Sequence, residues 1–317
     1  MLVGPGPAPW DGVAERVNPL NDLVISHNST YLKVPGTPGQ PRLPGPPRII
    51  QVCEPERWDY RATHMTDELP PRLTRLTFHG PLSEARAARI VARLTRNRPR
   101  TVLDIGCGWG ELMLRVLAAA PDATGLGLDS NEADLARGRD NARARGLDGR
   151  VTFVRESGVA TSRGPADLVL CLGASHALTE VEPPGHTAAA LAELRRLVNP
   201  GGRVLLGEGF WHRTPTGAEL AGMWPGTTAG EFGDLASLVD LTVGAGFRPA
   251  WIETATNSEW EDFESGYQCD KEEWLAAHPG HPKAAEIRAE ADQHRSYWLR
   301  GYYGLLGQAY LTLVPAG

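Results

Sequence analysis

The chain is poor in the features that mark whole classes of partner. It has no run of five or six Lys or Arg, and a net charge of −6 gives no electrostatic footprint for nucleic acid. No apolar run approaches the eighteen or so residues of a membrane-crossing helix. The opening residues "MLVGPGPAPWDG" lack the basic and apolar regions of a secretory signal. Cysteine is scarce, with four residues (Cys53, Cys107, Cys171, Cys269) and no CxxC pair. That spacing argues against a zinc site and a disulfide framework, no metal ligands are expected, and a reducing cytoplasm is the expected location.

Proline and glycine, by contrast, are abundant and concentrated. "GPGPAPW" and "VPGTPGQPRLPGPPR" crowd residues 1–64 and suit neither a helix interior nor a central strand. Residues 1–64 are therefore expected to form a largely disordered N-terminal extension. Met65 opens a stretch of globular composition, and residues 65–317 are expected to be one domain.

From Ser83 the pattern becomes regular. "SEARAARIVARLTRNR" puts Ala87, Ile90, Val91 and Leu94 on one helical face behind a Ser83 N-cap. Short apolar strands then alternate with helix-length segments: "TVLDI", "TGLGL", "VTFVR", "ADLVLCL", "RVLLGEG", "PAWIET" and "QAYLTLV". Strands spaced by such helices require right-handed crossovers and a parallel sheet covered on both faces. In such an open α/β fold, ligands sit at the carboxyl ends of the strands.

The most informative stretch is "TVLDIGCGWGE". Asp104 ends the first strand, and Gly106, Gly108 and Gly110 follow at alternate positions. Glycine there admits positive φ and removes the Cβ that would hold a ligand away from the turn. The helix that follows offers N–H groups and a partial positive charge to a carboxylate or phosphate. Asp129 ends the second strand, placed to grip two ribose hydroxyls. A dinucleotide site needs G-x-G-x-x-G, but the third glycine falls on Glu111 or Met113 in the two registers.

The D-x-G-x-G-x-G order instead resembles motif I of the class I S-adenosylmethionine (SAM) dependent methyltransferases. The likeness extends over about residues 80–317 through "GLGLDSNEADLARGRDNA", "ADLVLCLGASHAL" and "LVNPGGRVLLGEGFW". It implies a Rossmann-like fold with a seven-stranded, mostly parallel sheet, an antiparallel last strand and helices on both faces. It also implies SAM as cofactor, held by Asp104, Gly106, Cys107, Gly108 and Gly110, with Asp129 on the ribose and Ser130 or Asn131 beside the adenine. Leu172 and Gly173 belong to the same implied set. Where the family carries an acid after the third strand, this chain has Glu156 and Ser157, and either can meet the adenine amino group. "CLGASHAL", "GEGFW" and "SYWLRGYYGLLGQAYLTL" further resemble a branch of small-molecule methyltransferases.

Methyl transfer needs alignment, desolvation and, for a hydroxyl or protonated amine, a base. His176, past the fourth strand, is a candidate base or a structural histidine. Glu208, ending the fifth strand, either takes the acceptor's proton or pairs with Arg213. Trp211 is expected to wall the pocket. Residues 256–307 are expected to form a helical insertion, a lid with Trp260, Phe263 and Tyr267 on one aromatic face and His294, Trp298 and Tyr302 on another. The same stripes also suit plain core packing. The segment before the first helix is placed to close over the cofactor and contribute His79.

A base-flipping methyltransferase needs an Asn/Asp-Pro-Pro-aromatic cluster after strand four, where this chain reads "GASH". The reading is thus a methyltransferase acting on a small molecule, with no nucleic-acid or membrane partner. The alternatives are an NAD(P)-dependent oxidoreductase and a non-catalytic SAM-binding protein.

Overall fold

A computed structural model describes residues 69–317; the expected extension, residues 1–64, and the boundary at Met65 lie outside the described residues. Helix α1 (Glu84–Leu94) begins at Ser83, whose hydroxyl accepts from the Arg86 N–H, and it buries the expected face of Ala87, Ile90, Val91 and Leu94. The chain then alternates through β1 (Thr101–Ile105), α2 (Glu111–Ala119), β2 (Thr124–Asp129), α3 (Glu132–Ala144), β3 (Val151–Arg155) and β4 (Ala166–Leu172). A 3₁₀ turn, Ser175–Leu178, leads to α4 (His186–Leu197) and β5 (Val198–Trp211). After α5 (Gly217–Ala221), α6 (Leu235–Gly244) and β6 (Phe247–Thr254) come the two helices of the insertion, α7 (Asn257–Ala277) and α8 (Ala284–Ser296). A π-helical turn (Tyr297–Tyr302) ends the insertion before β7 (Leu306–Pro315).

The seven strands form one sheet in the order β3-β2-β1-β4-β5-β7-β6. All neighbouring pairs are parallel except those of β7, which runs antiparallel to both β5 and β6. Alternation along each strand divides the core into two layers. Val102, Leu168, Leu170 and Leu205 meet α1, α2 and α3 on one face. Leu103, Ile105, Val169, Cys171, Val204 and Leu206 meet α4 and α6 on the other. Both faces are covered, as a parallel sheet requires. This is the Rossmann-like methyltransferase fold, with α7 and α8 lying between β6 and β7.

The insertion is fastened to the body by charge. Thr256 and Glu259 form a capping box at the start of α7. Glu259 also accepts from the Ser83 hydroxyl at 2.6 Å and from the Arg86 guanidinium at 2.7 Å. Those donors hold its carboxyl down at about 2 despite burial. The segment ahead of α1 is tied down as firmly. Thr74 donates its N–H and its hydroxyl to Asp270, each at 2.6 Å. Arg137 donates to the Leu73 and Leu76 carbonyls while its guanidinium lies 3.9 Å from the centre of the Trp109 ring. Residues 69–82 are thus a strap laid across the carboxyl end of β1.

Candidate functional site

At the carboxyl edge of the sheet the chain leaves a cavity of about 270 Å³. Its floor comes from the ends of β1 (Asp104, Gly106) and β4 (Leu172, Gly173), from Glu208 and Gly209 within β5, which runs on to Trp211 rather than ending at Glu208, and from β7, whose reversed direction brings Leu306, Gln308 and Tyr310 to the same edge. The strap supplies Phe78 and His79, and α7 supplies Trp260 and Phe263. Thr179 to Pro183 and His186 close the remaining side.

The three motif glycines do different work. All have positive φ, +62°, +52° and +63° for Gly106, Gly108 and Gly110. A Cβ on Gly106 would stand 2.3 Å from the Ala174 Cβ, and one on Gly110 would stand 2.6 Å from the Phe153 ring. On Gly108 it would meet only His79 Nδ1, at 3.7 Å. Gly106 and Gly110 therefore let protein pack against the turn, while Gly108 leaves open the space that a ligand needs. No side chain caps α2, whose N-cap residue is Gly110, so the helix start is left to the turn and to any anionic group placed there. These features fit the amino-acid end of SAM.

Asp129 ties the turn to β2, accepting from the Gly108 N–H at 2.7 Å and the Asn131 N–H at 2.8 Å. Burial pushes its carboxyl above the ordinary range, and those backbone donors pull it back. Asp129, Ser130 and Asn131 stand outside the main cavity, along the end of β2. The Asn131 side chain is engaged as N-cap of α3, and Ser130 is exposed. Glu156 and Ser157 also lie outside it. Glu156 pairs with Arg163 at 2.8 Å, whereas Ser157 Oγ accepts from the Val159 N–H at 3.2 Å. Cys107 turns its sulfur toward β2, where a Cβ on Gly127 would meet it at 2.8 Å.

Glu208 and His176 both line the cavity. Glu208 is 4% exposed and its Oε2 has no protein partner, while Oε1 accepts from the Gly209 N–H at 3.1 Å. Burial raises its carboxyl to about 7, against hydrogen bonds from the Ser175 hydroxyl and Gly209. The pairing of Glu208 with Arg213 does not form, because Arg213 is engaged by Glu219. His176 Nε2 is buried without a partner, and burial lowers its imidazole to about 4. His79 stacks on Trp109 with centroids 5.1 Å apart, has an unpartnered Nε2 and is likewise lowered to about 4 by burial. Both imidazoles are neutral at pH 7.

Of the expected aromatic wall, Trp260 and Phe263 line the cavity and the other members do not. Tyr302 stands between Trp224 and Trp260 and donates to Glu264 Oε1 at 2.7 Å. Tyr267 stacks on His294, itself bonded to Glu264 at 2.8 Å. Trp298 packs edge-on against Tyr303, and Trp211 donates to the Ala229 carbonyl at 3.1 Å. Trp211, Tyr267, Trp298 and Tyr302 thus lie outside the cavity lining, and the first neighbours of the space are Trp260 and Phe263. The buried Glu264 is satisfied by Tyr302 and His294, and Tyr302 shares a core cluster with Trp211, Met223 and Trp224.

Sequence reasoning did not select Ser175, His186, Gln308 or Tyr310, which also line the cavity. His186 Nδ1 is buried without a partner. Its only sequence signal is a histidine opening a helix just beyond "GASH".

Residues 102–202 match a family model described as a methyltransferase domain. The Escherichia coli (strain K12) protein YjhP is 29% identical over 214 residues, 67% of this chain and 83% of that protein. A SAM-dependent methyltransferase from Thiobacillus denitrificans, solved with S-adenosyl-L-homocysteine, superposes with a TM-score of 0.66 at 25% identity, covering 77% of this chain and 98% of that one. A second, from Geobacter sulfurreducens and also solved with S-adenosyl-L-homocysteine, shares the fold with a TM-score of 0.67 at 24% identity, covering 77% and 98%.

Proposed function

The chain belongs to the class I SAM-dependent methyltransferases, and on that premise we propose that it methylates a small-molecule acceptor held between its glycine turn and Glu208. Its cofactor, S-adenosyl-L-methionine, supplies when bound an electrophilic methyl group on a sulfonium sulfur. One observation carries the reading of the acceptor. The residues lining the cavity that opens beside Gly108 carry buried side-chain atoms without protein partners, among them Glu208 Oε2 and His176 Nε2.

On this reading each residue takes a role toward the cofactor or the acceptor. Asp104, Gly106, Cys107, Gly108, Gly110, Leu172 and Gly173 shape the cofactor's amino-acid end. Asp129 holds the ribose, Ser130 and Asn131 flank the adenine, and Ser157 or Glu156 meets its amino group. Trp260 and Phe263 take the acceptor's apolar body, and His79 closes the strap over it. Glu208 holds and releases the acceptor's proton at Oε2, within reach of pH 7 because burial has raised its carboxyl to about 7. His176 accepts a hydrogen bond from the acceptor through its neutral ring. Cavity walls of this kind exclude water from the transfer. No helix among the described residues is long and apolar enough to cross a membrane. The free thiols of Cys107, Cys171 and Cys269 suit a reducing compartment such as the cytoplasm.

Incubation with methyl-tritiated SAM and a metabolite extract tests this reading. Label is expected in low-mass, non-volatile products. Label confined to protein or nucleic acid, or no transfer at all, refutes it.

A further inference from the structure

The cavity is lined by carboxylates with no arginine or lysine among its described lining residues. Asp104, Glu111, Glu180, Glu182, Glu208 and Glu231 all contribute to it. The Glu111 charge is met from outside by Arg115 at 2.7 Å and Arg145 at 2.8 Å. Asp104 and Glu208 are each 4% exposed, and among the described residues no arginine or lysine forms a salt bridge with either. Burial raises both carboxyls, Glu208 to about 7, and a cation bound beside either would favour its ionised form. The cofactor brings one net positive charge, and Asp104 stands on its side, at the glycine turn. Glu208 stands two strands away across β4 and is left over.

Resting on the methyltransferase reading, we infer that the acceptor is a small amine that enters as its ammonium ion. Glu208 Oε2 meets its N–H⁺, and Trp260 and Phe263 flank the cation and its apolar body. Exposed Glu180 and Glu182 stand at the mouth and draw cations toward it. Anionic acceptors are disfavoured, because no lysine or arginine among the described lining residues would pair a carboxylate or phosphate at that end, and the neutral imidazoles of His79 and His176 add no charge. The chemistry balances. The ammonium gives one proton to the Glu208 carboxylate, and the freed nitrogen lone pair forms the N–C bond to the methyl. The C–S bond breaks as that bond forms, and its electron pair stays on sulfur. A methylammonium product and a protonated Glu208 result, with the total charge unchanged.

The test compares three probes of like shape, 2-phenylethylammonium, 2-phenylethanol and 3-phenylpropionate, with methylammonium and benzylammonium as size controls. Calorimetry on the protein loaded with S-adenosyl-L-homocysteine gives affinities, and mass spectrometry with SAM gives products. Ammonium probes are expected to bind and to gain 14 mass units on nitrogen, about one methylene, while the alcohol and the carboxylate do neither. Glu208→Gln is expected to weaken ammonium binding about 10- to 150-fold, the worth of a hydrogen bond to a charged group. Its unchanged affinity for S-adenosyl-L-homocysteine would show that the variant is folded. Equal binding of alcohol or carboxylate, no binding of any ammonium, or an unaffected Glu208→Gln overturns the inference. Methylation of the alcohol instead would leave the methyltransferase reading standing, whereas failure of S-adenosyl-L-homocysteine to bind would strike that reading itself.

Discussion

Replacing the motif glycines one at a time by alanine separates fold from ligand. In Gly106→Ala the new Cβ would lie 2.3 Å from the Ala174 Cβ, so the turn or β4's exit must move. Overpacking of that kind costs about 1–3 kcal/mol, and a non-glycine residue in the left-handed region costs about 1–2 kcal/mol more. In Gly108→Ala only the backbone cost applies, because the nearest atom to its Cβ would be His79 Nδ1 at 3.7 Å. For a domain of this size each kcal/mol moves Tm by about 2–4 °C. Gly108→Ala is therefore expected to lower Tm by about 2–8 °C, and Gly106→Ala by about 4–20 °C. For the cofactor the order reverses. The Gly108→Ala methyl fills ligand space, and an overpacking cost of about 1–3 kcal/mol falls on the complex, about 5- to 150-fold in Kd. Thermal unfolding by circular dichroism and calorimetric titration with S-adenosyl-L-homocysteine read the two effects. A Gly108→Ala variant that binds like wild type, or unfolds as early as Gly106→Ala, refutes the assignment of that space to ligand.

Asp129→Ala should weaken S-adenosyl-L-homocysteine by about 1–3 kcal/mol, the cost of a lost buried hydrogen-bond partner, and an unchanged Kd in calorimetry removes the ribose assignment. Glu208→Gln should lower kcat by about 10²- to 10⁴-fold with the cofactor's Kd unchanged. In the wild type, kcat/KM should rise with pH through about 7, where Glu208 loses its proton. A pH-independent profile, or a fully active variant, contradicts its role as base. Acid stability should show the opposing shifts. His79 and His176 titrate near 4 when folded against 6.5 as the ordinary value. The unfolded chain therefore binds more protons in that window, and each ring withdraws about 3 kcal/mol as pH falls through it. Glu208, raised to about 7 from 4.5, binds its proton in the folded state first and returns about 3 kcal/mol between those values. Urea melts at pH 7 and pH 4.5 should show Glu208→Gln losing about 3 kcal/mol more than wild type, and parallel losses would refute the assignment.

Most of the scaffold was legible because its signals are local. Buried strands announce themselves as short apolar runs, Ser83 as a cap before an amphipathic stretch, and Asp104 to Gly110 as a turn that only glycine tolerates. The cavity walls were less legible because they depend on which distant elements meet. Gln308 and Tyr310 reach the site only because β7 lies beside β5 in reverse, pairing Gln308 with Gly209. The aromatic stripe of α7 was visible, but not which residues of it face the cavity. Trp260 and Phe263 line the cavity, whereas Tyr267, one turn on, stacks on His294, which the buried Glu264 holds. The partner of Glu156 was equally illegible, because Arg163, seven residues on, reaches it only through the fold of the loop after β3.

A crystal structure of the protein with S-adenosyl-L-homocysteine tests the central claim most directly. The methionine end should lie against Gly106 and Gly108, the ribose on Asp129, and the sulfur should face the space bounded by His176, Glu208 and Trp260. A sulfur turned away from Glu208, or a ligand bound elsewhere with this crevice still empty, would contradict it.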